Sequence, residues 1–279
     1  MVLKFITNET ALTFNKNLVI ADLHIGIEKE LYDAGIKVPT QTDKIKDRID
    51  HLIKKTKAKR LIIIGDIKHQ VPGVSLQELR EIPDFFKNFS EKIETHICLG
   101  NHDSEIPALV ENSALSFPEK KGLRSQRKGF SSGVQIHGTD GFRLSDAYIM
   151  HGHSWPKKEF LGCKYLIISH THPLIEIRDK LGYRFSERVW VRALFQKKEI
   201  FKKYGIAGKR LPEIILMPAF NDLSGGVSLN IETGKRKKLT EQTFLGPITK
   251  LIDKKQTEIF LLDGTFLGKL VDLKKGVNV

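Results

Sequence analysis

Five short apolar segments each end in a residue of a type that binds metals, and this recurrence constrains the fold more than any other feature. The clearest is residues 61–66, in which four consecutive apolar residues lead into Gly65 and Asp66. A continuous apolar run is typical of a parallel strand buried on both faces. Ligands of open α/β sheets bind at the carboxyl ends of the strands, and a buried carboxylate there needs a positive partner. We therefore expect a cation beside Asp66.

Residues 18–21, 97–100, 147–150 and 165–169 repeat this pattern. They are followed by further candidate ligands: Asp22 and His24; Asn101, His102 and Asp103; His151 and His153; His170 and His172. A lone histidine at a strand end is usually structural, but so many imidazoles beside carboxylates indicate a metal site. Donors that mix carboxylate, amide oxygen and imidazole suit Mn²⁺, Fe²⁺ or Zn²⁺ better than Mg²⁺ or Ca²⁺. The supply exceeds the needs of one ion, so we expect two divalent metal ions sharing Asp66.

Helical periodicity separates the first strands. Residues 43–57 and 75–92 predict helices, the second bent or split at Pro83, and residues 105–112 predict a shorter one. Residues 11–20, 174–197 and 259–267 predict hairpins, and residues 214–217 predict one more buried strand. The first half is therefore β-α-β-α-β and the second half mostly β. The last hairpin is either an appended element or an edge of the main sheet.

Composition describes a chain with material for a sizeable core, since 40% of its 279 residues are hydrophobic. The net charge of +13 favours phosphate-rich partners, although a Lys-rich surface of the kind found in thermophiles would give the same value. The apolar runs are too short to span a bilayer, and the first residues lack a signal peptide. Cys98 and Cys163 have no paired spacing and predict reduced core thiols, so we expect a cytoplasmic protein.

In this order, Asp22 and His24, the 65–66 and 100–103 segments, His151, and the pair His170 and His172 resemble the signature of the calcineurin-like metallophosphoesterase superfamily. The resemblance covers residues 18–172. Residues 218–221, 225–226 and 262–265 add a likeness to the archaeal ICC-like phosphoesterases related to Mre11/SbcD nucleases. It implies a four-layer α-β-β-α sandwich with a C-terminal β-hairpin extension. It also implies an enzyme that hydrolyses phosphodiester bonds with metal-activated water.

The resemblance also implies roles for single residues. One ion would be held by Asp22, His24, Asp66 and His172, and the other by Asp66, Asn101, His151 and His170. Both ions are expected to be Mn²⁺, with Fe²⁺ or Zn²⁺ as alternatives. As catalytic residues, His102 would lie beside the leaving group and Asp103 would orient its ring.

Two positions depart from the family pattern. Ser169 directly precedes the pair His170 and His172, at a position where the family usually has Gly. His69 lies three residues after Asp66, where the family often has Asp or Asn. The roles of His69 and His153 stay open. For domains, we expect a metallophosphoesterase domain over residues 1–234, followed by a basic linker and hairpin over 235–279. The alternative is that this tail belongs to the same domain.

Three functions compete. The chain could be a DNA or RNA nuclease, a hydrolase of small phosphodiesters or phosphomonoesters, or an inactive scaffold. The complete ligand set and His102 argue against the scaffold. If the substrate is nucleic acid, we expect a basic rim formed by Lys68, Arg124, Arg127, Lys128, Lys157 and Lys158. No membrane partner is expected.

Overall fold

A computed structural model describes residues 2–115, 133–205, 210–231, 244–273 and 277–278, and these contain two β-sheets. The first sheet has six strands in the order β1 to β6. Its strands are β1 (Lys4–Phe5), β2 (Leu12–Phe14), β3 (Asn17–Ala21), β4 (Arg60–Ile64), β5 (Glu94–Cys98) and β6 (Val134–His137). The strands from β3 to β6 are parallel, so their carboxyl ends lie along one edge.

The second sheet has ten strands and a mixed direction. They are β7 (Phe142–Leu144), β8 (Ala147–Ile149), β9 (Tyr165–Ile168), β10 (Pro173–Arg178), β11 (Arg184–Ala193), β12 (Glu213–Leu216), β13 (Val227–Ser228), β14 (Glu258–Leu261), β15 (Phe266–Lys269) and β16 (Val277–Asn278). Its main path runs β13-β10-β11-β12-β9-β8-β7. The C-terminal hairpin of β14 and β15 joins this sheet, because β14 also pairs with β11.

Helices cover the outer faces of the two sheets. The α-helices are α1 (Ile27–Asp33), α2 (Thr42–Thr56), α3 (Leu76–Ser90), α4 (Ile106–Leu115), α5 (Lys197–Tyr204) and α6 (Leu270–Leu273). In the described part of the chain, short 3-10 helices span Lys158–Gly162, Ile248–Leu251 and Lys254–Gln256. Among the described residues, no helix has the length and apolar character needed to cross a membrane.

Strand β4 shows how the layers are built. Leu61 and Ile63 pack against α2, α3 and α4, whereas Ile62 and Ile64 pack against the second sheet. Both faces of the strand are buried, which explains its continuous apolar sequence. On the far side of the second sheet, Ile214 packs among residues from α5 and α6. The predicted four-layer α-β-β-α sandwich is therefore confirmed.

Most of the predicted elements are present. The hairpin of β2 and β3, helix α2 and the hairpin of β10 and β11 lie where the sequence predicts them. Of the bend or split expected at Pro83, the split is wrong, since α3 continues through this residue. Ile82, Phe86 and Phe89 bury this helix in the core, and their packing outweighs the hydrogen bond that the proline removes. Helices α1 and α5 were not predicted, because each is short and rich in charged residues.

Candidate metal centre

Strand ends from both sheets meet at one edge of the sandwich. The loop after β3 carries Asp22 and His24 and hydrogen-bonds to the loop after β4, where the His24 N–H donates to the Asp66 carbonyl at 2.9 Å. The segments after β8 and β9 approach from the second sheet, and His151 Nε2 lies 3.1 Å from Asp22 Oδ1. The two sheets thus bring together side chains that lie more than a hundred residues apart in sequence.

Several of these residues have a strained backbone. Positive φ angles of 41° to 65° occur at five predicted ligands: Asp22, His24, Asp66, His170 and His172. A left-handed conformation is unfavourable for a residue with a side chain and costs on the order of 1 kcal/mol or more. The surrounding packing maintains this conformation at five predicted ligands at once, which is typical of a functional site.

Two glycines permit the close approach of the loops. A Cβ atom at Gly100 would lie 2.1 Å from Asp66 Oδ1, and a Cβ at Gly65 would lie 2.3 Å from the His151 ring. Neither space admits a methyl group. Glycine is therefore needed at position 100 for Asp66 to reach its place, and at position 65 for His151 to reach its place.

The converging side chains form three groups whose donor atoms lie within 4.8 Å of one another. The groups are Asp22, His24 and His172; His24, Asp66 and His102; and Asp66, His151 and His170. His24 Nε2 lies 3.4 Å from His172 Nε2, and His151 Nε2 lies 3.4 Å from Asp66 Oδ2. Asp66 and His24 each belong to two of these groups.

The donors fit a divalent cation. Asp22 is fully buried, and its Oδ2 atom accepts no hydrogen bond among the described residues, although His172 Nε2 lies 3.4 Å from it. A buried carboxylate oxygen without a hydrogen bond needs a positive charge beside it, which a cation would supply. The mixture of carboxylate oxygens and imidazole nitrogens at this point suits manganese, iron or zinc.

Burial and mutual contact set the protonation of these groups. Burial raises the pKa of Asp22, but the neighbouring His172 and His151 outweigh it and hold the pKa well below its usual range. Burial lowers the pKa of His24 far below its ordinary value and that of His170 to about 3. Both rings are therefore neutral near pH 7, as metal ligation requires. Burial also lowers the pKa of His172, but Asp22 outweighs burial and raises it to about 9, so this ring would have to release a proton on binding a cation.

His102 and Asp103 depart from their predicted relationship. The Asp103 carboxylate was expected to orient the His102 ring, but it accepts the backbone N–H groups of Ile67 at 2.8 Å and Gly100 at 2.9 Å. His102 Nδ1 instead lies 2.7 Å from the His69 carbonyl oxygen. Asp103 is fully buried, and burial with the nearby Asp66 charge raises its pKa to about 6. It therefore holds the loops after β4 and β5 together.

The loop after β4 carries His69, whose carbonyl oxygen lies next to the His102 ring. Glu78 is fully buried, and its carboxylate accepts backbone N–H groups from His69 at 2.8 Å, Gln70 at 2.7 Å and Ser75 at 2.6 Å. The His69 ring hydrogen-bonds to Glu30 and lies 3.3 Å from His24. Sequence reasoning missed Glu78, and the pattern of Ser75 followed by Glu78 three residues later, typical of a capping box, was the available signal.

Other predicted residues have varied surroundings. Asn101 is exposed and lies in the turn three residues after β5, next to His102 in sequence. His153 Nδ1 lies 2.9 Å from His151 Nδ1, and burial lowers the His153 pKa to about 4. The hydroxyl of Ser169 donates a hydrogen bond to Asp22 Oδ1 at 3.2 Å. The serine that replaces the usual glycine of the family therefore holds a predicted ligand in place.

Three of the six residues expected on a basic rim lie among the described residues. Lys68 is buried, with Nζ donating to the Gln70 and Gly73 carbonyls and 3.1 Å from Glu105, so its placement on the rim was wrong. Lys157 and Lys158 are exposed. Three further rim candidates lie outside the described residues: Arg124, Arg127 and Lys128.

Sequence comparison decides the family. A model of the calcineurin-like phosphoesterase family matches residues 16–209, which is more than half of the chain and includes all the predicted ligands. The chain belongs to the calcineurin-like phosphoesterase family. It is thus a metal-dependent hydrolase of phosphate esters, and the resemblance inferred from its motifs is confirmed at the level of the superfamily. No curated protein matches the chain significantly.

Among solved structures similar to this phosphoesterase, one shares its fold. The nuclease MPE of Pseudomonas putida is similar over 92% of both chains, with 17% sequence identity and a TM-score of 0.51. Yfce, a phosphoesterase from E. coli, aligns over 91% of this chain and 97% of its own, with 13% identity and a TM-score of 0.35. At this identity the likeness to MPE concerns the fold.

Proposed function

We propose that this phosphoesterase binds two divalent ions, with manganese preferred, and hydrolyses phosphodiester bonds of nucleic acid. In this proposal one ion is held by Asp22, His24, Asp66 and His172. The other is held by Asp66, Asn101, His151 and His170. The observation that carries the proposal is the position of Asp66, whose carboxylate belongs to one donor group with His24 and to another with His151.

In this proposal the bound ions and His102 have different roles in hydrolysis. When bound, the two ions activate water for attack and neutralise negative charge at phosphorus. The imidazole Nε2 of His102 faces the same space, 3.9 Å from Asp66 Oδ2. Its protonated form gives a proton to the leaving oxygen. The Asp66 Oδ1 atom accepts the His102 backbone N–H at 3.0 Å, which couples the position of the acid to that of the shared ligand.

Nucleic acid is the proposed substrate for two reasons. The net charge of +13 attracts a polyanion, because phosphate contacts by Lys and Arg release condensed counterions. The second support is the shared fold with Pseudomonas putida MPE, which is described as a nuclease. A small phosphodiester would need neither the charge nor an extended binding surface.

A substrate screen tests this proposal. Manganese-loaded protein is assayed on single-stranded DNA, duplex DNA and bis-p-nitrophenyl phosphate, with EDTA as the metal-free control. We expect metal-dependent cleavage of both the small diester and at least one DNA. Cleavage of the small diester alone would replace nucleic acid with a small-molecule substrate. No hydrolysis of any diester would refute the activity.

For domain organisation, we propose that the C-terminal hairpin belongs with the catalytic unit. Val189 of β11 pairs with Leu261 of β14, and Leu270 of α6 lies in the same apolar cluster as Ile214. These contacts support the alternative in which residues 235–279 are part of the domain that spans 1–234.

A further inference from the structure

The β10–β11 hairpin extends past the metal centre. Ile168, two residues before His170, pairs with Leu216 of β12, and Leu216 pairs with Val191 of the antiparallel β11. Residues that precede Val191 therefore continue beyond the strand ends at which the ligands lie. Arg184 precedes Val191 by seven residues, so at 3.2–3.4 Å per residue it lies about 20 Å beyond that edge.

One face of this hairpin presents guanidinium groups toward the first sheet. Trp190 packs between the sheets with Ile62, and alternate residues of a strand share a face. Arg188 and Arg184 therefore point to the same side as Trp190. Arg178 is the direct partner of Arg184 in the ladder and shares that face.

The base of the hairpin is tied to the metal centre. Arg188 Nη1 lies 2.7 Å from Asp222 Oδ1, and Lys44 Nζ lies 3.2 Å from Asp222 Oδ2. The preceding Asn221 donates to the Leu23 carbonyl at 2.8 Å, directly before His24. Arg188 thus begins a row of guanidinium groups near the ligands, and Arg184 and Arg178 continue this row outward along the hairpin.

The outer guanidinium groups are accessible. The Arg184 side chain is 59% exposed, and its Nη1 atom lies 3.5 Å from Glu176, the carboxylate on the same face. Arg178 is exposed and lies over Gly182 at the turn. Guanidinium groups bind phosphate through paired N–H donors, which gives them directional specificity as well as charge.

We propose that this hairpin is a phosphate-binding arm that holds a single-stranded polynucleotide where it leaves the metal centre. The inference rests on the proposed function. A small diester would not reach residues about 20 Å from the ligands, whereas a chain of phosphates follows a row of guanidinium groups. We take an unpaired strand as the occupant because a duplex is stiff over about 150 bp, whereas a single strand can bend to follow the arm from the metal centre.

Paired charge removals test the arm. The arm variant is Arg178→Ser with Arg184→Ser, chosen because both side chains are exposed, whereas Arg188 is held in an ion pair with Asp222. The control is Lys54→Ser with Lys55→Ser, two exposed residues at the far end of α2, before β4 begins at the opposite edge. Both variants lose two positive charges, so the comparison separates a local contact from general attraction.

Two readouts are compared. The first is binding of a fluorescein-labelled single-stranded oligonucleotide in EDTA, which prevents cleavage, from 50 to 300 mM salt. The arm variant is expected to bind about tenfold more weakly, with a log–log salt slope reduced by about 1.4 for two lost contacts. The second is the ratio of kcat/KM on the oligonucleotide to kcat/KM on bis-p-nitrophenyl phosphate, which falls at least fivefold in the arm variant and stays unchanged in the control.

The outcomes separate the arm from the proposed function. If the arm variant binds and cleaves the oligonucleotide like the control variant, the arm is refuted while the hydrolase stands. If wild type cleaves no diester but the arm variant alone loses oligonucleotide binding, the arm stands and the proposed activity falls. Equal weakening in both variants would also refute the arm, since it would show general electrostatic attraction.

Discussion

The Nδ1 atom of His102 lies 2.7 Å from the backbone carbonyl oxygen of His69. A carbonyl oxygen accepts hydrogen bonds and does not donate them, so Nδ1 carries the hydrogen. In the neutral ring, Nε2 is then the unprotonated nitrogen, and it faces the space beside Asp66. The backbone of one motif thereby fixes the tautomer of the next, and it leaves Nε2 to exchange a proton with the substrate.

Removing the His102 ring should slow turnover without releasing metal. His102→Ala is expected to keep both ions and to lose about 10²–10⁴-fold in kcat, as for a lost general acid. Esters with good leaving groups such as nitrophenolate should lose less than alkyl esters, because they need little protonation. Metal content and kcat on both ester types are the measurements. An equal loss on both would argue against proton transfer from His102.

The Glu78 carboxylate should stabilise the loop that carries His69. In Glu78→Gln an amide N–H₂ replaces one acceptor and faces backbone N–H donors in a buried site. We expect the free energy of unfolding to fall by about 2 kcal/mol, which is typical of losing hydrogen bonds to a charged group. We also expect kcat to fall, because His102 loses its fixed carbonyl partner.

The matched control for this change is Glu91→Gln, at an exposed position just after the same helix. Urea unfolding monitored by circular dichroism measures both variants beside the wild type. Unchanged stability and kcat in Glu78→Gln would mean that the loop keeps its conformation without the carboxylate.

Stability should depend on pH through His137. Its Nε2 lies 2.9 Å from His96 Nδ1, and its ring stacks on Phe142 at 3.6 Å. Burial, with His96 and Lys157 nearby, lowers the His137 pKa from 6.5 to about 4. The folded state therefore favours the neutral ring, so this contribution is complete above pH 6.5 and is lost as the pH falls toward 4.

His137→Gln, which does not titrate, isolates this contribution. The Tm of wild type and variant is measured between pH 7.5 and pH 4.5 in metal-free buffer. The difference between the two proteins should shift in favour of the variant as the pH falls. A difference that stays constant over this range would show that His137 titrates normally in the folded state.

The motif positions could be predicted because each strand sequence carries its own signal. The apolar run of residues 61–64 indicates burial on both faces, and the position of Asp66 at its end indicates the edge that holds the site. Within the first sheet, the convergence of Asp22 and Asp66 follows from parallel strands, whose carboxyl ends lie along one edge. The four-layer sandwich itself followed from the family resemblance.

The contacts around the site could not be predicted, because they join backbone groups to side chains from distant segments. The partner of His102 is the carbonyl of His69, and no residue type specifies a carbonyl acceptor. A lysine such as Lys68 is expected at the surface, yet its side chain is buried and lies 3.1 Å from Glu105. The extension of β11 past the metal centre depends on its register with β12, which the sequence does not determine.

The most direct test of the central claim is the number of metal ions bound by wild type and by Asp66→Asn. Metal per chain is measured by plasma mass spectrometry after manganese loading and dialysis, with Asp47→Asn as an exposed control. Two ions in wild type and in the control, and one or none with almost no hydrolysis in a folded Asp66→Asn, is the predicted result. Two ions and full activity in Asp66→Asn would contradict a shared ligand at the centre of the site.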